Sequence, residues 1–283
     1  MGAVRCGRRQ SGPQRTAAGT PIMIRRPARL LLIATAATVA MTAAAADYVA
    51  IPGGVFVSAL AVDGAAARIA IEPFAMRVEP VTNAEFLDFV RMHPGWQRGQ
   101  VSPLFAGPQY LSAWQGPLTL GPDARPGQPV TSVSWFAARA FCASEQARLP
   151  TWYEWEYVAA ADVTRRDARR DPARNQDILD AIQGSTGERP GAIGRHRADA
   201  WGVRDLNRLL WEWTGDYAAM FPNADARVAG AGPSLALCGG SALAFADKNQ
   251  FALMMRIAAL TALKPADAAP RVGFRCVREG HGR

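Results

Sequence analysis

Between His93 and Gln128, proline or glycine returns every few residues, with aromatic side chains scattered among them. Backbone punctuated this often cannot propagate a helix or a strand, so the stretch predicts long ordered loops. Any fold for this chain must therefore hang short regular elements on irregular connections. The elements themselves carry local signals. Tyr48 to Val57 is β-prone and broken by a Pro52-Gly53-Gly54 turn. Thr82-Asn-Ala-Glu85 is a capping box that should open a first helix, with Phe86, Phe89 and Val90 as its buried stripe. A second helix is expected from Ser134, carrying Phe136, Ala140, Phe141 and Cys142. A third is expected from a second capping box, Thr151-Trp-Tyr-Glu154, with Trp155 and Val158 on one side. Asp162 to Arg174 alternates Arg with Asp and reads as a solvated helix face, and the chain beyond Gly184 reads as turns and short apolar runs.

Met23 to Ala46 has the grammar of a secretory signal: Arg25, Arg26 and Arg29, then an apolar run from Leu30 to Met41, then small residues before Asp47. The run is short for a bilayer and rich in Ala, which favours export to the periplasm or exterior, with cleavage after Ala46, over stable membrane insertion. Residues 1–22 read as an upstream extension of the frame and residues 47–283 as a single domain. Seven of the 32 basic residues fall in residues 1–46 without one acid, which leaves 25 basic against 24 acidic residues beyond them. Seven units of the formal charge of +8 thus belong to the leader, and nucleic acid is excluded as a partner on this reading. Past the leader stand Cys142, Cys238 and Cys276, an odd number in a compartment that permits disulfides, so one pair and one free thiol are expected.

Four segments in order resemble the signature blocks of the formylglycine-generating enzyme (sulfatase-modifying factor) family. They are Ile51-Pro-Gly-Gly-Val-Phe56 with Pro80-Val-Thr-Asn83; Pro129 to Trp135 running on to Arg148-Leu-Pro-Thr151 and Glu154-Trp-Glu-Tyr157; Trp201-Gly-Val-Arg-Asp-Leu206 with Trp211-Glu-Trp213; and Gly239-Gly-Ser241 with Gly273-Phe-Arg-Cys276. The resemblance implies an irregular, loop-rich α+β fold similar to C-type lectins. It spans several activities, among them copper-dependent oxidases, iron-dependent sulfoxide synthases, siderophore-maturation proteins and members encoded beside nitrite reductases, so it implies architecture more firmly than chemistry. The cysteine-free insertion and the Trp201–Leu206 block resemble the last group most.

The oxidases bind Cu(I) through two cysteines placed between the Gly-Gly-Ser block and the following arginine. From Ala242 to Met255 this chain has none. Oxygen and amide ligands do not replace soft thiolates for Cu(I), so copper is not expected. Met254 and Met255 are neighbours that point to different sides of a helix, which suits packing. Iron is not expected either, because His93, His196 and His281 have no spacing that would group them. What the resemblance retains is a Cys142–Cys276 disulfide and a calcium site built from Asp205, the carbonyls of Arg208 and Leu210, and Glu212. Against that site, the family's Gly-Asn is here Arg208-Leu209, and Glu212 can instead pair with an arginine such as Arg208 or Arg204. Arg256, Arg275, Trp211 and Cys238 fall at groove positions of the family, and Trp96, Trp114 and Trp201 are further aromatics suited to such a groove. The expected role is binding an exported protein or a small ligand and assisting maturation of an exported partner. An oxidoreductase with an unrecognised site, for example at Cys238, is the alternative.

Overall fold

The structure, a computed structural model, describes residues 46–62, 65–184, 189–216 and 250–280. Its elements are short: β1 (Tyr48–Ile51), β2 (Gly54–Val62), β3 (Ala65–Ile71), β4 (Phe74–Arg77), α1 (Asn83–Met92), a 3₁₀ turn (Pro94–Trp96), α2 (Trp135–Ser144), α3 (Trp152–Ala159), α4 (Pro172–Gly184), β5 (Trp211–Glu212), α5 (Phe251–Thr261), β6 (Val272–Gly273) and β7 (Val277–Glu279). No helix or strand longer than a single bridge forms between Trp96 and Trp135, as the density of proline and glycine demands. The protein is α+β, and among the described residues its helices and three small sheets are tied together by loops. β4 lies between β1 and β7 and pairs antiparallel with both, β2 and β3 form a hairpin, and β5 and β6 make a parallel ladder of two residues each. At the turn between β1 and β2, a Cβ on Gly53 would fall 2.2 Å from the Ile71 carbonyl oxygen, so no larger residue fits.

Each helix expected from a cap begins there. Thr82 and Thr151 accept from the N–H groups of Glu85 and Glu154, whose carboxylates reach back to the cap N–H groups at 2.8 Å in both boxes. Ser134 caps α2 by accepting from Ala137 N–H at 3.1 Å. Two elements differ from the sequence reading. Residues 162–171 are not a helix; Asp162 bends the backbone by accepting from the N–H groups of Thr164 and Arg165, and α4 starts only at Pro172. Beyond Gly184, where only turns and short runs were expected, Phe251 to Thr261 forms α5.

Among the described residues, the buried side chains gather in two apolar clusters. One gathers Phe86, Phe89, Trp114, Phe141, Trp213 and Phe274 around the disulfide that joins Cys142 of α2 to Cys276. The other packs Ile51, Phe74 and Met76 of the sheet against Trp152 and Trp155 of α3 and Trp201. Arg77, buried in β4, reaches Glu85 of α1 and Glu145 at the end of α2, so the sheet is tied to both helices through one guanidinium.

Candidate functional site

The Trp-Glu-Trp and Gly-Phe-Arg-Cys segments meet because β5 and β6 run side by side, Trp211 opposite Val272 and Glu212 opposite Gly273. Close packing requires the glycine: a Cβ on Gly273 would stand 2.4 Å from Leu210 Cδ1 and 2.5 Å from the Val130 carbonyl oxygen. The pairing sets Glu212 and Arg275 against each other with no exposed side-chain surface on either. Arg275 Nε donates to Glu212 Oε2 at 2.9 Å and Nη2 to Oε1 at 2.8 Å, while its remaining N–H groups donate to the carbonyls of Arg77, Val78 and Arg204. Trp155 of α3 adds its indole N–H to Glu212 Oε2 at 3.1 Å. Such a two-pronged contact satisfies a buried charge on both sides, which isolated burial would forbid.

A second buried guanidinium lies beside this pair. Arg256 of α5 stacks with its Cζ 3.5 Å from the centre of the Trp155 ring and donates through Nη2 to the Glu212 carbonyl at 2.9 Å. Burial pulls its pKa down to about 9, with Glu212 opposing and Arg275 reinforcing the fall, so it stays charged at neutral pH. Its Nε–H is buried without an acceptor. Arg256 and Trp211 border a cavity that Glu156, Arg169 and Leu253 also line. Glu156 sits on the inner wall of that cavity, accepting from Ser58 Oγ and Ala59 N–H at 2.5 Å and from Trp152 Nε1 at 3.1 Å. Burial raises its pKa, and these hydrogen bonds and Arg169 oppose the rise.

Trp211 and Arg256 share a cavity. Arg275 faces the interior, where all its donors are engaged, and Cys238 lies outside the described residues. Trp114 is core, its N–H bonded to Asn83 Oδ1 at 3.0 Å; Trp96 packs on Phe105, and Trp201 lines a different hollow, so the four tryptophans do not share one groove. Glu156 and Trp155 were missed as polar-core members. The Glu154-Trp-Glu-Tyr157 block held the signal, since a glutamate on the apolar side of an amphipathic helix needs a buried partner.

The two carboxylates of the expected calcium set are both engaged by protein groups. Glu212 is held by Arg275 and Trp155 rather than by Arg208 or Arg204; Arg208 pairs with Asp177, and Arg204 donates to the Gly194 carbonyl. Asp205, in the left-handed region at φ 62°, accepts from Gly194 N–H at 2.6 Å and contacts His196 Nδ1 at 2.5 Å. The two carboxylates are thus satisfied separately, and an ion at Glu212 would have to displace a buried guanidinium. Soft donors are equally scarce, because the disulfide takes Cys142 and Cys276 and leaves only Cys6 and Cys238 of the four cysteines. Among the described residues, no three His, Cys, Asp or Glu side chains come together in a metal-binding group.

Residues 34–280 match the sulfatase-modifying factor enzyme 1-like domain. The chain is similar to formylglycine-generating enzyme from Bos taurus, 29% identical over 82% of this chain and 74% of that one. It is also similar to inactive C-alpha-formylglycine-generating enzyme 2 from Bos taurus, 29% identical over 78% and 82%. A match to hercynine oxygenase from Mycobacterium tuberculosis is 32% identical but spans 48% of this chain and only 36% of that protein. Among solved structures, PvdO from Pseudomonas aeruginosa overlays with a TM-score of 0.46 at 15% identity, covering 82% of this chain and 94% of its own. With most of its length matched and the Trp-Glu-Trp and Gly-Phe-Arg-Cys segments joined at its centre, the chain belongs to the sulfatase-modifying factor family.

Proposed function

We propose that this protein is an exported accessory factor, one that binds a protein partner and assists its maturation without cysteine oxidation. The observation that carries this reading is the fate of the thiols. No cysteine stands between Ala242 and Met255, where the oxidase members carry their copper pair, and the disulfide consumes two of the remaining four. The likeness to a relative named inactive supports the same direction. A centre filled by Glu212, Arg275 and Arg256 is one of fixed charges that hold a scaffold, which suits binding.

Two measurements test it. Incubated with Cu(I), oxygen and a cysteine-bearing peptide, the purified chain should produce no formylglycine by mass spectrometry; conversion would overturn the reading. Tagged protein recovered from the exported fraction of its source cell should bring down a partner in near-stoichiometric amount, and recovery alone would argue against a stable partnership. Because Cys238 is the one thiol past the leader that the disulfide leaves out, Cys238→Ala separates the roles: an accessory factor keeps its partner, while a thiol enzyme loses turnover.

A further inference from the structure

A second hollow, apart from the Glu212–Arg275 centre, opens between the β2–β3 hairpin and residues 166–170, with Tyr157 and Trp201 on its wall. Its construction is specific. Phe56, Tyr157 and Trp201 stand in a row with ring centres 5.5 Å and 5.1 Å apart. Arginines cover both ends of that row: Arg169 Cζ lies 5.7 Å from the Phe56 ring and Arg166 Cζ 4.3 Å from the Trp201 ring. Arg169 is structural, for it donates to the Val57 carbonyl at 2.6 Å and its charge is met by Asp167 and by Glu156 at 3.7 Å. Arg68, Arg166 and Arg170 are exposed and have no ion pair among the described residues. Arg166 lies over Trp201 while remaining exposed, so a carboxylate can reach a guanidinium already held against the ring.

The hairpin supplies an apolar strip beside these cations. Val57 pairs with Arg68 and Val55 with Ala70, so these four side chains project from one face, opposite Phe56 and Ile69. Val55 and Val57 are 60% and 43% exposed. On the β2 edge, the Val57 carbonyl is taken by Arg169 and the Ala59 N–H by Glu156, so an incoming strand could not form a continuous ladder through these two positions. Side chains supply the remaining contacts. The Trp201 indole N–H, on a residue only 6% exposed, is buried without an acceptor.

We infer that this arginine-lined aromatic cleft binds an extended acidic segment of a protein partner. Carboxylates of the segment meet Arg166, Arg68 and Arg170, and its backbone and side-chain stems lie over Val55 and Val57, which line the same hollow. The inference rests on the accessory reading for the identity of the partner, though not for the binding itself.

The test uses a fluorescent oligoglutamate decapeptide and the full chain. Binding should be salt-sensitive, and Arg68→Ser/Arg166→Ser should weaken it about tenfold or more with an unchanged melting temperature. Arg195→Ser/Arg197→Ser removes the same charge from exposed residues outside the cleft and should change the affinity less than about twofold. Equal loss in both double variants, no binding by the wild type, or equal binding of a sulfated oligosaccharide or of inorganic sulfate at the same arginines would each overturn the inference. The two proposals fail separately. A partner recovered equally by wild type and the Arg68/Arg166 variant sinks the cleft and leaves the accessory role; peptide binding at the cleft with no partner recovered does the reverse.

Discussion

Arg275 spends five N–H groups on one carboxylate and three carbonyls, and so ties β5, the end of β4 and the loop at Arg204 to the C-terminal segment. Arg275→Lys keeps the charge but loses the fork, leaving Glu212 buried and half-satisfied. Breaking a buried pair costs about 3–5 kcal/mol, so urea unfolding should show a loss of that order. A change below about 1 kcal/mol would mean that Arg256 takes over the carboxylate. Glu156 makes a prediction of opposite character. Its pKa is raised in the fold, so the folded protein binds a proton more readily than the unfolded chain. Its contribution is therefore full below the unfolded carboxylate range, about pH 4, and is lost as pH rises through the higher folded value. Glu156→Gln should flatten that part of the stability profile in urea titrations run across the acid range, and an unchanged slope would assign it to Asp199 or Asp216, also raised by burial. None of these partnerships was legible in the sequence. Glu212 and Arg275 are 63 residues apart, and no local pattern announces which arginine a buried glutamate will meet.

Among elements, what could be read was what is local. Both capping boxes and the Ser134 cap work within four residues, so the sequence signal and the structural cause coincide. Thr82→Ala and Thr151→Ala should each cost about 0.5–2 kcal/mol by denaturant unfolding. The loss should be larger at Thr151, because Arg148 grips Glu154 through two hydrogen bonds where Arg77 reaches Glu85 through one, and the larger array depends on the cap. Equal losses would show that the Arg148 contact stands without it. α4 also had a local signal that was misread. Asp171 accepts from the N–H groups of Ala173 and Arg174, and Pro172 is its first residue, the familiar pairing of an acidic cap with proline at the helix start. The alternating charges before it drew attention to a helical period that the Asp162 turn in fact prevents.

At the level of the molecule, the family resemblance gave the loop-rich α+β architecture and the cysteine pairing, which composition alone left open. The disulfide closes a loop of 134 residues between the second helix and the C-terminal segment. By the loop-closure argument it stabilises the fold by about 4–5 kcal/mol, so Cys142→Ala/Cys276→Ala should lower the unfolding free energy by that amount in denaturant titration. An unchanged midpoint would mean that the phenylalanine cluster around it holds the two segments unaided. The β1–β4–β7 sheet has a further consequence, one of timing. β4 and β1 are close in sequence and can pair as soon as both are made, yet the other edge of β4 waits for Val277 to Glu279, about two hundred residues later. Until then Met76 and Ala75 present an open strand edge beside unpaired Cys142, so the protein cannot complete itself from front to back as it emerges. Its last strand acts as the latch of the whole structure, and a chain halted after Arg275 should accumulate as a sticky, oxidation-prone intermediate rather than as a slightly shortened protein.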